Sequence, residues 1–217
     1  MTKNKQKLFF VTLLRHGESI GNAEMRWQGQ KDYALTNRGR EQAQALAKRW
    51  KQEKVKFDAV ISSPLSRAKE TAEIIASVLD LPIEFDPLWM ERDNGKFSGL
   101  TGHEVKHNFV HPEFHNPYDP VGVDGEGDWE LFLRAGQVLN NLLKREPARY
   151  LIVSHGGLLN LVMHAVVGIT PQANNAGLRF RFSNTAFAKL TYYPHQHRWM
   201  IDALNDHVHA QDAESEE

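Results

Sequence analysis

Short apolar runs alternate with longer amphipathic ones along most of the chain. Residues 8–14, 58–62, 83–85, 150–154, 186–192 and 199–203 form brief apolar stretches rich in branched and aromatic side chains, which predicts strands. Residues 38–53, 65–79, 129–145 and 157–167 predict helices. In the first of these, Ala43, Leu46, Ala47 and Trp50 recur on one face at helical spacing, and Thr36 stands where a capping hydroxyl belongs. Strand followed by helix, repeated, argues for an α/β sandwich whose central sheet is mainly parallel and flanked by helices. Residues 101–128 break the rhythm with Pro112, Pro117, Pro120 and several Gly and His residues, and read as a lid-like insertion over one face. A single domain over residues 1–205 follows, with 206–217 expected to be an acidic, disordered tail.

Composition narrows this picture. A chain of 217 residues fits one large domain. Cysteine is absent, which excludes disulfides, thiolate metal sites and a cysteine nucleophile. Lys+Arg 26 against Asp+Glu 27 gives a net charge of -1, without the basic excess of a nucleic-acid binder. The apolar run at 8–14 follows lysines as a leader's would. It is short, however, and charged Arg15-His16-Gly17-Glu18 occupies the place of a cleavage site, so a buried first strand is the better reading. No segment has the length to cross a bilayer. The expectation is a cytoplasmic protein with no nucleic-acid or membrane partner. Assembly into a homo-oligomer stays open, because a surface patch is not legible in sequence.

Two segments share one grammar. Leu13-Leu14-Arg15-His16-Gly17-Glu18 and Ile152-Val153-Ser154-His155-Gly156-Gly157 each place a histidine and a glycine after an apolar strand. Ligands of open α/β sheets bind at the carboxyl ends of strands, so both histidines are directed to one crevice. One histidine in such a place is most often structural; the matched pair points to chemistry. A third segment, Ser62-Ser63-Pro64-Leu65-Ser66-Arg67, puts Pro64 in a first helical turn and Arg67 one turn into a helix after another strand. Arg15 and Arg67 with His16 and His155 make a donor set suited to a phosphoryl group.

Arg15-His16-Gly17-Glu18 resembles the signature of the histidine phosphatase superfamily, which includes the phosphoglycerate mutases. Asn22, Leu35-Thr36-Asn37-Arg38-Gly39-Arg40-Glu41-Gln42-Ala43, Ser62-Ser63-Pro64 with Arg67, Glu91 and Ser154-His155-Gly156 recur in family order and spacing, over roughly residues 8 to 203. The resemblance implies a phosphoglycerate mutase-like three-layer sandwich and His16 as a nucleophile that becomes a phosphohistidine. It implies Arg15, Arg67 and His155 as ligands of the phosphoryl oxygens, completed by Asn22 and the Gly156 N–H. It also implies Glu91 as proton donor, with no metal and no cofactor. The residues alone leave Glu91 open between that role and a surface carboxylate paired with Arg92, and Asp93 is the next candidate acid. Gln28-Gly29 matches a substrate-contact position of the mutases, although a loop turn explains the glycine equally well.

The mutases resembled here carry a lysine where this chain has Gly102, and paired arginines in the insertion. Between Thr101 and Trp129 the only lysine or arginine is Lys106. Gly125-Glu126 followed by Arg134 resembles the phosphatase branch instead. The expectation is therefore a phosphomonoesterase acting on a small phosphorylated metabolite. A phosphoglycerate mutase is the alternative. A non-catalytic phosphate binder is a third reading, against which the intact residue set argues. His103, His107, His111 and His115 are spaced by four, as metal ligands on a helix would be, but Pro112 interrupts that helix and a solvated lid is the reading taken. Phe109, Phe114 and Tyr118 are read as anchors of that lid.

Overall fold

The first apolar run becomes β1 (Phe9–Arg15), buried at nearly every position, as a strand lacking polar alternation must be. The computed structural model describes residues 7–110 and 112–213. β1 lies inside a six-stranded sheet with β2 (Ala59–Ser62), β3 (Ile83–Phe85), β4 (Arg149–Ser154), β5 (Phe187–Tyr193) and β6 (Arg198–Asp206), in the order β3-β2-β4-β1-β5-β6. The β3-β2-β4-β1 ladder is parallel, whereas β5 runs antiparallel to β1 and β6 antiparallel to β5. The sheet is mainly parallel, with one antiparallel flank.

Successive side chains along the central strands go to opposite faces. Leu14 of β1 and Val153 of β4 pack with Leu46, Ala47 and Trp50 of α2 (Asn37–Gln52) and Ala72 and Ile75 of α3 (Ser66–Leu79). Leu13 and Ile152 pack with Leu131 and Val138 of α5 (Asp128–Leu143) and Leu158 and Val162 of α6 (Gly156–Val167). This is the three-layer sandwich. Thr36 caps α2 by accepting the Gly39 N–H at 3.0 Å.

Three expectations need correction. Pro64 stands ahead of the extended cap residue Leu65, not inside the helix, and Arg67 occupies the first turn. The distant Asp32 accepts the Ser66 N–H at 2.8 Å, a start signal that no local pattern reveals. The insertion is not all loop: α4 (Gly102–Asn108) opens on a capping box between Thr101 and Glu104 and ends before Pro112. The tail drawn from 206 begins inside β6, and residues 208–213 form a 3-10 segment with Ala210 buried. Arg49 of α2 grips Asp206 through two hydrogen bonds of 2.6 and 3.0 Å, which carries order past the predicted boundary. The last four residues, and His111, lie outside the described residues. Among the described residues no helix is long and apolar enough to cross a membrane.

Candidate active site

Parallel pairing places Arg15 opposite Ser154, so the residues that follow β1 and β4 leave the sheet side by side. The His16 N–H donates to the Ser154 carbonyl at 3.0 Å, and the Ser63 N–H to Val153 at 3.0 Å, gathering the ends of β1, β2 and β4. The His16 and His155 rings lie 5.1 Å apart, centroid to centroid. Two glycines set the backbone of the first loop. A Cβ on Gly17 would stand 2.5 Å from the Gly39 carbonyl oxygen, and one on Gly39 would stand 2.0 Å from that of Glu18. The Thr36–Gln42 run thus buttresses the His16 loop, with Gln42 Oε1 accepting the Glu18 N–H at 2.9 Å.

His16 Nδ1 lies 2.6 Å from the Gly17 carbonyl. A carbonyl only accepts, so Nδ1 carries the proton of the neutral ring and Nε2 keeps its lone pair. Burial holds His16 well below the ordinary histidine range, and the Arg67 and Arg15 charges push the same way. Burial, and then the same arginines and His16, depress His155 likewise. His155 Nε2 meets Ser63 Oγ at 2.8 Å, while its Nδ1 is buried without a partner. With Ser63 donating to Nε2, the ring proton sits on Nδ1 as an unused donor.

Two more buried donors stand open. Arg67 gives its Nη2 to the Gly29 carbonyl at 2.7 Å and its Nη1 to Lys31 at 3.1 Å, leaving Nε unpaired. Arg15 gives Nη1 to Phe182 at 2.7 Å and likewise keeps Nε free. Burial lowers the pKa of both guanidiniums, and the nearby Glu91 opposes that shift. A protein that leaves three buried donors unsatisfied around one neutral imidazole has prepared a place for an anion.

Arg15, His16, Asn22, Gln28, Gly29, Arg67, Glu91 and Gly156 all line one cavity of about 570 Å³. His155 is not among the lining residues and is buried against the His16 ring. Asn22 Oδ1 accepts from Ser19 and Asn184, which leaves its amide protons for a ligand. Gln28 is fixed by Ser19 at 2.7 Å. Gly29 has φ +55 and a Cβ there would meet Ser98 Oγ at 2.6 Å, so it serves the turn that aims Arg67. Gly156 opens α6 at its N-terminus.

Glu91 is not paired with Arg92, which instead binds Asp128 at 2.6 Å. Its Oε1 accepts the N–H groups of Arg92 and Leu158, and Oε2 accepts that of Gly157. Oε1 is thereby saturated, and Oε2 has one lone pair left to carry a proton. Asp93 is exposed and spends its carboxylate on the Gly95 N–H. Arg134 secures the segment bearing Glu91. Its Nη1 binds the carbonyls of Leu88 and Met90 at 2.8 and 2.6 Å, its Nη2 that of Glu91 at 3.2 Å, and Glu126 holds the guanidinium from behind at 2.8 and 2.6 Å.

Phe109 stacks edge-on with Phe97 and Tyr118 lies flat on Trp129, both contacts within the protein, while Phe114 is exposed. The aromatic residues of the cavity wall are Trp27 and Phe97, which no motif singled out. His103 and His107 stack on each other on α4, exposed. Among the described residues no three His, Asp or Glu side chains are placed to hold a metal ion.

The family model described as "Histidine phosphatase superfamily (branch 1)" matches residues 11–207. The chain belongs to the histidine phosphatase superfamily. A curated relative from Salmonella arizonae, named "Probable phosphoglycerate mutase GpmB", is 32% identical over 208 residues, covering 92% of this chain and 94% of that one. Among solved structures, Bacillus stearothermophilus YhfR is 26% identical with a TM-score of 0.77 over 93% of this chain and 99% of its own. A mycobacterial glucosyl-3-phosphoglycerate phosphatase complexed with VO3 is 25% identical, with a TM-score of 0.76 over 91% and 99%. The fold brings Arg15, His16, Asn22, Gln28, Gly29, Arg67, Glu91 and Gly156 to one cavity, with His155 in ring contact with His16, and leaves Asp93 outside it. Sequence reasoning missed Ser63 and Asn184 as parts of the site, and the binding role of Arg134, because their partners are backbone groups or residues far along the chain. It also missed Arg179, a cavity-lining residue outside every motif.

Proposed function

We propose that the protein is a phosphomonoesterase that hydrolyses a small phosphorylated metabolite in the cytoplasm through a phosphohistidine on His16. The observation that carries this reading is the trio of unpartnered buried donors, Arg15 Nε, Arg67 Nε and His155 Nδ1, around a histidine whose free electron pair is on Nε2. In the first step Nε2 attacks phosphorus and the bond to the ester oxygen breaks. That oxygen takes the proton carried by Glu91 Oε2 and leaves as an alcohol. The charge spread over the three equatorial oxygens meets the two guanidiniums, His155 and the Asn22 amide. In the second step the ionised Glu91 takes a proton from water, the water oxygen bonds to phosphorus, and the P–N bond returns its electrons to His16.

The 32% identical relative named a phosphoglycerate mutase supports a second reading, transfer to another hydroxyl of the same molecule. Gly102 in the place of a lysine, and an insertion without arginine, favour hydrolysis. The test is phosphate release from a phosphomonoester panel in EDTA, by wild type and His16→Ala. EDTA-resistant release that disappears in the variant is expected. Release that survives in His16→Ala overturns the assignment, and label that moves within 3-phosphoglycerate without phosphate release establishes the mutase.

A further inference from the structure

Five arginines line the cavity: Arg15, Arg26, Arg67, Arg92 and Arg179. Arg15 and Arg67 form the phosphoryl cradle. Arg26 is neutralised by Glu24 at 2.5 Å and also holds the Gly99 carbonyl at 2.8 Å. Arg92 is neutralised by Asp128 at 2.6 Å, and His115 approaches the other oxygen of that carboxylate at 3.1 Å. Arg179 is different. It has no carboxylate or hydrogen-bond partner among the described residues, and it sits at the rim with its guanidinium uncommitted.

Its placement is set by packing. Along residues 179–182 exposed and buried positions alternate: Arg179 and Arg181 face out while Phe180 and Phe182 pack into the core. The Phe180 N–H donates to Asn160 Oδ1 at 2.8 Å, and the Phe182 carbonyl receives Arg15 Nη1. The same backbone therefore fixes the rim arginine and one arm of the cradle. Upstream, Asn174 and His115 exchange two hydrogen bonds of 2.7 and 2.8 Å, tying this segment to the insertion, whose His115 and Val121 also line the cavity. Arg181 follows on the same exposed side, close enough to Arg15 for their charges to repel.

We propose that Arg179, supported by Arg181, is a subsite for a second anionic group, so that the substrate is a phosphoester carrying a carboxylate or a further phosphoryl group beyond the one transferred. The proposal rests on the phosphoester reading of the cradle and adds to it which esters are preferred. Three features agree. The cavity is far larger than one phosphoryl group requires. Outside the cradle, the cavity's arginines Arg26 and Arg92 are neutralised by Glu24 and Asp128, so a second anion has Arg179 as its uncompensated partner. A guanidinium suits carboxylate and phosphoryl oxygens alike through paired hydrogen bonds.

The test is calorimetric binding of non-hydrolysable phosphonates to the wild-type chain. Phosphonoacetate, phosphonopropionate and phosphonobutyrate are each compared with the alcohol of the same length, and a bisphosphonate series distinguishes a phosphoryl from a carboxylate as the second anion. At least one diacid is expected to bind about tenfold more tightly than its alcohol partner. In Arg179→Ala that ratio falls toward one, and in Arg179→Glu it inverts. The wild-type ratio also shrinks between about 50 and about 500 mM salt, as a contact with an exposed charge must. Equal binding of acids and alcohols by the wild type, or a ratio that survives Arg179→Ala, overturns the subsite and leaves the cradle standing. Failure of every phosphonate to bind overturns the cradle itself, and the subsite with it.

Discussion

Removing the guanidinium of Arg134 tests whether the site is as dependent on its support as the geometry indicates. All five of its N–H donors are used: two on Glu126, and three on the carbonyls of Leu88, Met90 and Glu91. In Arg134→Met the three carbonyls lose a charged donor, and Glu126, whose side chain is only 16% exposed, loses its counter-ion. Breaking a buried pair from one side costs about 3–5 kcal/mol, and remaining access of water lowers that here to about 2–4 kcal/mol. For a chain of this size each kcal/mol lowers Tm by about 2–4 °C, so a fall of about 5–15 °C is expected. The same loss frees the segment that aims Glu91 Oε2. Proton donation contributes about 10²–10⁴-fold to a rate, and a misplaced acid forfeits part of it. An alkyl ester such as glycerol phosphate should lose about 10–100-fold in kcat. p-Nitrophenyl phosphate, whose leaving group departs without a proton, should lose less than about threefold. Glu91→Gln should show the same split with a smaller fall in Tm, because the amide nitrogen replaces one acceptor of a backbone N–H. Arg134→Lys should recover stability in part while keeping the split, because an ammonium cannot span three carbonyls and a carboxylate. Equal losses on the two esters would refute the positioning role and leave Arg134 as a brace of the fold.

Other outcomes follow from burial and close approach. Burial, aided by the Arg49 charge, pushes His209 down to about 4 from an ordinary 6.5, in keeping with its Nδ1 being buried without a partner while Nε2 meets Thr185 Oγ1 at 2.9 Å. The unfolded chain binds that proton from about pH 6.5 and the folded chain resists it, so stability is full above pH 6.5 and lost as pH falls toward about 4. The full shift corresponds to about 3 kcal/mol, and partial exposure reduces it to about 1–2 kcal/mol. Urea unfolding of His209→Asn should therefore show a shallower loss between pH 6.5 and 4.5 than wild type, with the remaining loss due to His16 and His155, and an unchanged slope would exclude His209. Gly39→Ala lies within a helix, where the exchange usually stabilises by roughly 1 kcal/mol. Here the new Cβ would stand 2.0 Å from the Glu18 carbonyl oxygen, so a loss of at least about 2 kcal/mol with reduced activity is expected. A rise in Tm would show that the His16 loop does not rest on α2.

What was legible in the sequence lies within a few residues of an apolar strand end. His16, Arg15, His155 and Arg67 could be found because the fold class itself sends such residues to one crevice. The Thr36 cap and the Ala43–Trp50 face were legible for a similar reason, since spacing alone defines them. The supports were not. Asp32 starts α3 from 34 residues away, and Arg134 reaches 46 residues back to a carbonyl, and neither contact leaves a periodic trace. The segment at 208–213 was missed because it lacks apolar periodicity and runs into the acidic residues Glu214, Glu216 and Glu217, although it follows a strand held by Arg49.

The choice between hydrolysis and transfer changes its basis once the cavity is in view. In sequence, the scarcity of cations between Thr101 and Trp129 stood for the absence of any place to hold a second anion. On the proposed subsite, Arg179 supplies such a place from outside the insertion, so the cation count of the insertion alone does not separate the two reactions. What separates them is whether water reaches the phosphohistidine while the alcohol is still present. A mutase must exclude water around a doubly charged intermediate. Here the cavity wall includes Trp27, which is 42% exposed, and the rim arginine is itself open to solvent. On the proposed reading, a site that binds a second anion at an open rim holds its substrate firmly and still admits water as the second nucleophile, the combination that hydrolysis with substrate selectivity requires.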